Sequence, residues 1–392
     1  MVRSNKLPFN IMIMIFPNGP ICNLDCDYCY YKKKTSLYPH TKNFQMTEEL
    51  LEEFIRQYIK IQPGLVVTFG WQGGEPSLRG IHFFKKVVKL QNKYLPKNWK
   101  SQNAFQTNGT LLTDKWCKFF RENDFLVGIS IDGPSVLHDV YRKDKQGRPT
   151  HTNVLKGLHL LQKYYVEYNV LCTVNNINVR YPLEVYHFFK NQQVKNIQFI
   201  PIVESLGEGK VSSRTVSSKD YGRFLITIFD EWVHYDFGDI FIQTFEECVA
   251  AWLGMRTNLC VFSETCGRAP VMEHNGDLYA CDHFVFPEYK LGNILETPLN
   301  KLIQSLKLKE FGRSKKDDLA EVCKVCDVRF ICNGGCLKNR IINMGEGKKL
   351  NFLCEGYKQF FRCIDPYMNE IAKGIKQEKS PKMIKKNLYL LK

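Results

Sequence analysis

Three cysteines, Cys22, Cys26 and Cys29, fall within eight consecutive positions of the stretch CNLDCDYCYY, and the next one, Cys117, lies far down the chain. A tetrahedral zinc site takes four ligands, so a zinc knuckle here has to borrow a distant Cys or His. A [4Fe–4S] cube does not. Three thiolates hold three of its irons, bridging sulfides tie in the fourth, and that iron stays open to an outside ligand, as a catalytic metal site requires.

The cysteine theme returns after Trp252. Cys260 and Cys266 stand in CVFSETC, Cys281 in YACDHF, and Cys323, Cys326, Cys332 and Cys336 in CKVCDVRFICNGGC, with Cys354 after them. These eight thiolates suffice for two closed four-cysteine sites, either zinc ribbons or clusters. The remaining Cys117, Cys172, Cys248 and Cys363 sit in apolar helix or strand patterns and are expected to be buried small hydrophobes.

Periodicity supplies the elements that position these groups. Phe9 to Phe16 reads as a buried strand. Leu50, Leu51, Phe54, Ile55, Tyr58 and Ile59 recur at helical spacing behind Thr47 as N-cap and an acidic first turn. LVVTFGW, NAFQT, LVGISI, VEYNVLCTV and NIQFIPIV read as further strands, with helices at IHFFKKVVKLQNKY, DKWCKFFREN and around Tyr186 to Asn191. Six strands alternating with helices predict an α/β fold, an open (βα)6 partial barrel of parallel strands ending near Val203. Active sites of such sheets gather at the C-terminal strand ends. The cysteine loop, QGGEP, QTNGT, SIDGP and Val203 each follow or close a strand, and all are expected on that rim.

The C-x3-C-x2-C spacing, with Tyr28 just before the last cysteine, resembles the radical S-adenosylmethionine (SAM) superfamily. That resemblance implies that the open iron chelates SAM, whose reductive cleavage gives a 5′-deoxyadenosyl radical. GGEP, Gly73 to Pro76, is similar to the family's SAM-binding loop: glycines such as Gly74 let the backbone approach, and Glu75 offers a carboxylate to the SAM ammonium. Ser130 and Arg142, with Val203 at the position where a leucine often contacts SAM, are the other cofactor contacts. Gln72, Gln106 and Asn108 are candidates toward substrate, and local loop hydrogen bonding is the alternative for the polar ones.

The second half resembles the SPASM domain, which binds two auxiliary [4Fe–4S] clusters and brings the total to three. Family practice assigns Cys260, Cys266, Cys281 and Cys336 to the first and Cys323, Cys326, Cys332 and Cys354 to the second. From Phe9 to about Met368 the chain is similar to the anaerobic sulfatase-maturating enzymes, carried by FGWQGGEPSLRG, FQTNGTLLTDKWCKFF, FLVGISIDGP and CDHFVFPEYKLGNI. These oxidise a Cys or Ser side chain of a sulfatase polypeptide to Cα-formylglycine. After hydrogen abstraction from Cβ, one more electron and a proton must leave. Asp282, directly after Cys281, matches the family's proposed base, and burial beside an anionic cluster would raise its pKa toward that task. His283 is the second choice.

The expected domains are a radical SAM barrel over 1–235, a SPASM domain over 236–372 and a basic tail over 373–392. The net charge is +15 at pH 7, and the tail contributes to it. No nucleic-acid recognition motif accompanies that charge, so it is read as a solvated surface that favours an acidic partner, a flavodoxin- or ferredoxin-type electron donor. No apolar run reaches the roughly 20 residues that a membrane span needs, and MVRSNKLPFNIMIMIF lacks a signal-peptide cleavage site. The expected location is therefore cytoplasmic, with reduced thiols. Two other readings of the cysteines are a SPASM enzyme forming thioether or carbon–carbon cross-links in a ribosomal peptide, and a zinc-bearing nucleic-acid binder.

Overall fold

The computed structural model describes residue 7 and residues 11–389. In chain order its first elements are β1 (Met14–Ile15), α1 (Glu48–Ile61), β2 (Val66–Trp71), α2 (Gly80–Tyr94), β3 (Lys100–Thr107), α3 (Asp114–Glu122), β4 (Phe125–Ser130), α4 (His151–Lys163), β5 (Tyr168–Val174), α5 (Pro182–Asn191) and β6 (Asn196–Pro201). There follow α6 (Ser218–Glu231), β7 (Phe241–Ile242), α7 (Gln243–Trp252), β8 (Val271–Met272), β9 (Asp277–Tyr279), β10 (Lys290–Asn293), α8 (Leu306–Asp317), α9 (Cys354–Lys376) and α10 (Pro381–Leu388).

The six alternating strands are present, and α1 begins at the expected Thr47 cap. Thr47 accepts from the Leu50 amide at the start of α1, and Thr113 from the Trp116 amide at the start of α3. The first strand is shorter than its apolar run, and its Phe9 and Asn10 lie outside the described residues. Helix α4, HTNVLKGLHLLQK, has no counterpart in the periodicity reading, and it contains Gly157. That glycine is a packing requirement: a Cβ there would stand 2.3 Å from the Gly109 carbonyl oxygen.

Two compact units form, and neither is a continuous stretch. The first comprises residues 1–130, 141–168 and 266–313. Its strand order is β10-β9-β8-β1-β2-β3-β4. Met14 pairs in parallel with both Gly70 of β2 and Val271 of β8, so β1 is an interior strand with both its edges satisfied. Residues 266–313, expected in a separate second domain, thus join the sheet of the first half, and the boundary at 235/236 does not coincide with the division of the chain. Beside β2 and β3 lies an aromatic core. Trp71, Phe84, Phe105 and Phe120 are fully buried in edge-on and tilted contacts, each contributing about 1.5–3 kcal/mol.

The second unit comprises residues 131–140, 169–265 and 314–392. In it β5, β6 and β7 run parallel, with Val170 opposite Ile197 and Asn196 opposite Phe241. Helices α6 and α9 meet backbone to backbone, since a Cβ on Gly356 would stand 1.9 Å from the Ser218 carbonyl oxygen. The segment expected as a basic tail is folded. Helix α9 continues to Lys376, Ser380 caps α10, and α10 buries Ile384 and Leu388, with Ile384 against Gly374.

Cys117, Cys172 and Cys248 are buried as expected, but Cys363 is exposed. Helix α9 buries the stripe Phe360, Phe361, Ile364 and Met368, and Cys363 lies off it beside the exposed Arg362. Among the described residues no helix is long and apolar enough to cross a membrane.

Candidate active site and cluster ligands

The cysteine loop leaves β1 and is held from several sides within the first unit. The Asp25 and Asp27 amides donate to the Lys143 and Tyr141 carbonyls at 2.9 and 3.0 Å, and the Cys29 amide closes a turn onto the Cys26 carbonyl at 3.1 Å. Cys22 Sγ accepts from the Leu24 amide at 3.3 Å and from Asn108 Nδ2 at 3.6 Å. Burial pushes the Cys22 thiol up to about 12, with the Glu75 charge and then Cys26 and Cys29 adding to the effect. The three sulfurs are therefore near enough to feel one another, and none of them is in a disulfide. Such a thiol ionises readily only when a metal replaces its proton. This donor set fits three corners of a cube.

In the second unit Cys323, Cys326, Cys332 and Cys354 converge in the same way. Burial raises Cys332 to about 12 and Cys354 to about 11, and each also feels the charges of Cys323 and Cys326. Four mutually coupled free thiols fit a closed cluster. Of the other four proposed ligands, Cys260 and Cys336 belong to the second unit and Cys266 and Cys281 to the first. The irregular chain at Cys260 is fixed by the fully buried Lys315, whose ammonium donates to the carbonyls of Cys260 at 2.6 Å, Val261 at 3.0 Å and Ser263.

The GGEP loop is stitched to the cysteine loop through its backbone. The Gly74 amide donates to the Gly19 carbonyl at 2.8 Å and the Glu75 amide to the Ile21 carbonyl at 2.9 Å. A Cβ on Gly74 would lie 2.0 Å from the Ile21 oxygen, so no other residue fits. Glu75 itself departs from expectation. Its carboxylate is completely buried and accepts from the Ser77 amide at 3.0 Å, the Thr107 hydroxyl at 2.8 Å and the Asn108 amide at 2.8 Å. Burial raises its pKa, and these donors oppose the rise. The side chain ties the loop after β2 to the end of β3 and presents no surface to a ligand.

The other sequence candidates are placed as follows. Gln106 Nε2 donates to Ser130 Oγ at 3.1 Å, and Asn108 Nδ2 to Asn23 Oδ1 at 2.9 Å. Both of these side chains thus support neighbouring loops. Gln72 is half-buried, its amide donating to the Ile15 carbonyl at 2.9 Å. Arg142 is buried, its guanidinium 5.5 Å from the Tyr28 ring centre. Val203 is buried in the second unit.

Asp282 opens a one-turn 3-10 helix directly after Cys281. Its Oδ2 accepts from the Tyr30 hydroxyl at 2.5 Å, and its Oδ1 lies 3.2 Å from Cys281 Sγ. Enclosure of the hydroxyl and the Asp282 charge hold the Tyr30 pKa well above its ordinary value, so the phenol stays a donor. The His283 ring stands 4.7 Å from the Tyr30 ring. Lys34 secures the far end of this turn, donating to the Val285 carbonyl at 2.7 Å with its ammonium 3.2 Å from the Phe286 ring centre. Sequence reasoning missed Tyr30 and Lys34. Tyr30 directly follows Cys29, and that adjacency was the available signal; the three consecutive lysines around Lys34 read as solvated.

The Radical SAM superfamily model matches residues 17–189, and an iron–sulfur cluster-binding SPASM model matches residues 265–327. The serine-type anaerobic sulfatase-maturating enzyme of Bacteroides thetaiotaomicron is 46% identical, over 96% of this chain and 95% of that protein. The chain belongs to the anaerobic sulfatase-maturating enzymes. A cysteine-type anaerobic sulfatase-maturating enzyme of Clostridium perfringens is 35% identical over 93% of this chain and 99% of its own. A solved structure of anSMEcpe with bound AdoMet and the Cp18Cys peptide superposes with a TM-score of 0.84 at 34% identity, covering 94% of this chain and all of that one. As a sulfatase-maturating enzyme the chain is a radical SAM oxidoreductase of α/β fold with three [4Fe–4S] clusters and SAM as cofactors.

Proposed function

We propose that this enzyme oxidises a Cys or Ser side chain of a sulfatase polypeptide to Cα-formylglycine. The observation that carries the reading is the Tyr30–Asp282 hydrogen bond. Within one compact unit it joins the residue after the third cysteine of the catalytic loop to the carboxylate after Cys281. Full-length identity to enzymes of both serine and cysteine type supports the same conclusion.

When bound, SAM and the clusters supply the hydrogen-abstracting radical and the one-electron acceptor. Cys22, Cys26 and Cys29 would hold the cluster that binds SAM. The GGEP backbone, kept in place by the buried Glu75, would take the SAM ammonium; Tyr28, Ser130, Arg142 and Val203 would complete the cofactor pocket. Gln72, Gln106 and Asn108 would line the approach of the peptide. Cys260, Cys266, Cys281 and Cys336 would hold the first auxiliary cluster, and Cys323, Cys326, Cys332 and Cys354 the second. Asp282 takes the proton from the substrate's thiol or hydroxyl as the Cβ electron leaves; a Ser target gives the aldehyde directly, and a Cys target gives a thioaldehyde that water hydrolyses to the aldehyde with release of hydrogen sulfide. Tyr30 donates to Oδ2 and so holds the carboxylate beside Cys281, whose Sγ lies 3.2 Å from Oδ1. A flavodoxin- or ferredoxin-type protein would deliver the priming electron, steered by the net charge of +15, and the reaction would take place in the cytoplasm.

The test is Asp282→Asn with a sulfatase peptide deuterated at Cβ of its target residue. Label should still reach 5′-deoxyadenosine while formylglycine falls at least about a hundredfold, the order lost with a general base. Formylglycine at wild-type rate would remove Asp282 from the role. No peptide-dependent deuterium transfer even in the wild type would remove the reaction itself.

A further inference from the structure

Asn108 directly follows β3 in the first unit and is 8% exposed. Its side-chain amide uses all four of its hydrogen-bonding positions. Oδ1 accepts from the Thr110 amide at 3.0 Å and from the Thr110 hydroxyl at 2.7 Å. Nδ2 donates to Asn23 Oδ1 at 2.9 Å and to Cys22 Sγ at 3.6 Å, a length that the larger sulfur atom allows. Asn23 Nδ2 in turn donates to Thr110 Oγ1 at 2.9 Å. Asn108, Asn23 and Thr110 therefore close a ring in which each side chain gives one hydrogen bond to the next.

The ring decides which way the Asn108 amide points. The Thr110 backbone N–H can only donate, so the atom it meets is Oδ1, and Nδ2 is turned to Cys22. The backbone beneath is fixed as well. The Asn108 main-chain amide donates to the buried Glu75 carboxylate at 2.8 Å. Gly109 follows at a φ of 76°, where a Cβ would stand 2.6 Å from Ile129 Cδ1. A peptide that approaches along Asn108 thus meets a side chain whose hydrogen bonds are already spent.

We propose that Asn108 is a positioning residue for the catalytic cluster, holding the Cys22 sulfur by an N–H···S hydrogen bond and raising the cluster's reduction potential. The inference rests on the reading that Cys22, Cys26 and Cys29 hold the cluster that binds SAM. The step concerned is its one-electron reduction by a flavodoxin- or ferredoxin-type donor. The donor loses one electron, the negative charge at the cluster grows by one, and the proton stays on Nδ2. Part of that charge falls on the Cys22 sulfur, so the N–H···S bond strengthens on reduction and favours the reduced form. The Leu24 amide, 3.3 Å from the same sulfur, acts in the same sense through the backbone. Asn108 thereby lowers the driving force that the donor must supply.

The experiment is redox titration followed by electron paramagnetic resonance of the full iron-loaded chain. The component absent from protein whose Cys22, Cys26 and Cys29 are alanine belongs to the catalytic cluster, and it should respond to added SAM. Asn108→Leu keeps the branched shape of the side chain and removes its donors. The reduction equilibrium constant of that component should fall about threefold to tenfold, a midpoint up to about 59 mV more negative for a one-electron couple. The iron count should stay at about twelve per chain, and the auxiliary components should not move. An unmoved midpoint with the iron intact overturns the inference. If Asn108→Leu loses iron, Thr110→Val takes its place, since it opens the ring and keeps the backbone donor. It should give a smaller shift in the same direction, and Thr110→Ser, which keeps the hydroxyl, should restore the wild-type midpoint. A Thr110→Val midpoint equal to wild type overturns the inference equally, as does a shift that Thr110→Ser shares. Absence of a SAM-responsive component from the wild type would refute the cofactor reading and this inference together, whereas an unmoved midpoint refutes the inference alone.

Discussion

The Tyr30 hydroxyl and the Asp282 carboxylate, 252 positions apart in sequence, share a hydrogen bond of 2.5 Å. A hydrogen bond to a charged group contributes about 1.5–3 kcal/mol, and here it also fixes the orientation of the carboxylate beside Cys281. Tyr30→Phe keeps the ring against His283 and removes only the donor. Formylglycine formation should fall about tenfold or more, each 1.4 kcal/mol being a factor of ten, at a peptide KM close to wild type. Peptide-dependent 5′-deoxyadenosine should persist, so the ratio of 5′-deoxyadenosine to formylglycine rises. An unchanged ratio would mean the bond has no part in the proton step.

Glu75 leads to a different prediction. Its two oxygens serve three donors of the surrounding chain. Glu75→Gln replaces one acceptor by an amide nitrogen that faces those donors, leaving buried groups unsatisfied. The expected loss is about 2–3 kcal/mol of stability, read from chemical denaturation, accompanied by weaker SAM binding because the loop backbone is released. Normal stability with lost SAM binding would instead show that the carboxylate contacts SAM directly.

The sequence revealed what is repeated locally and missed what is joined at a distance. The alternation of strands and helices, the Thr47 cap and the cysteine spacings are all short-range patterns, and they are legible. The pairing of Val271 with Met14 is not, because it joins segments far apart in sequence and brings residues 266–313 into the sheet of the first unit. The need for Gly157 is not legible either, because the Gly109 carbonyl against which it packs lies in another loop. Glu75 stands out in the sequence by its motif, whereas its bonds to Thr107 and Asn108 do not, since those donors stand at the end of the next strand. Tyr30 was passed over because Asp282 comes so much later in the chain.

Lys34 supplies a pH-dependent expectation. Burial lowers its pKa from 10.5 to about 8. The unfolded chain then holds the proton more tightly than the folded one between about pH 8 and 10.5, so this group makes stability rise with pH across that window. Below pH 8 the lysine is charged in both states and the slope vanishes. Lys34→Met removes the titration. Denaturation midpoints at pH 7, 8 and 9 should show the wild type gaining on the variant only above pH 8. Parallel midpoints at all three values would place the ammonium in water and not over Phe286.

The last prediction separates ligand from bystander cysteines. The eleven proposed ligands should be blocked in protein carrying three clusters, and Cys117, Cys172 and Cys248 are buried. Cys363 alone among the fifteen is both exposed and outside the proposed ligand sets. Anoxic alkylation of the iron-loaded enzyme, followed by peptide mass spectrometry, should therefore modify Cys363 first and nearly alone. Cys363→Ser should leave about twelve irons per chain and full activity, while removing that label. Stripping the iron with a chelator should open the remaining ligand thiols to the reagent and leave the three buried cysteines protected until the fold is lost. Fast labelling of Cys260, the exposed member of the proposed first auxiliary set, before any iron is removed would show that it is not a ligand, and the assignment of that cluster would have to change.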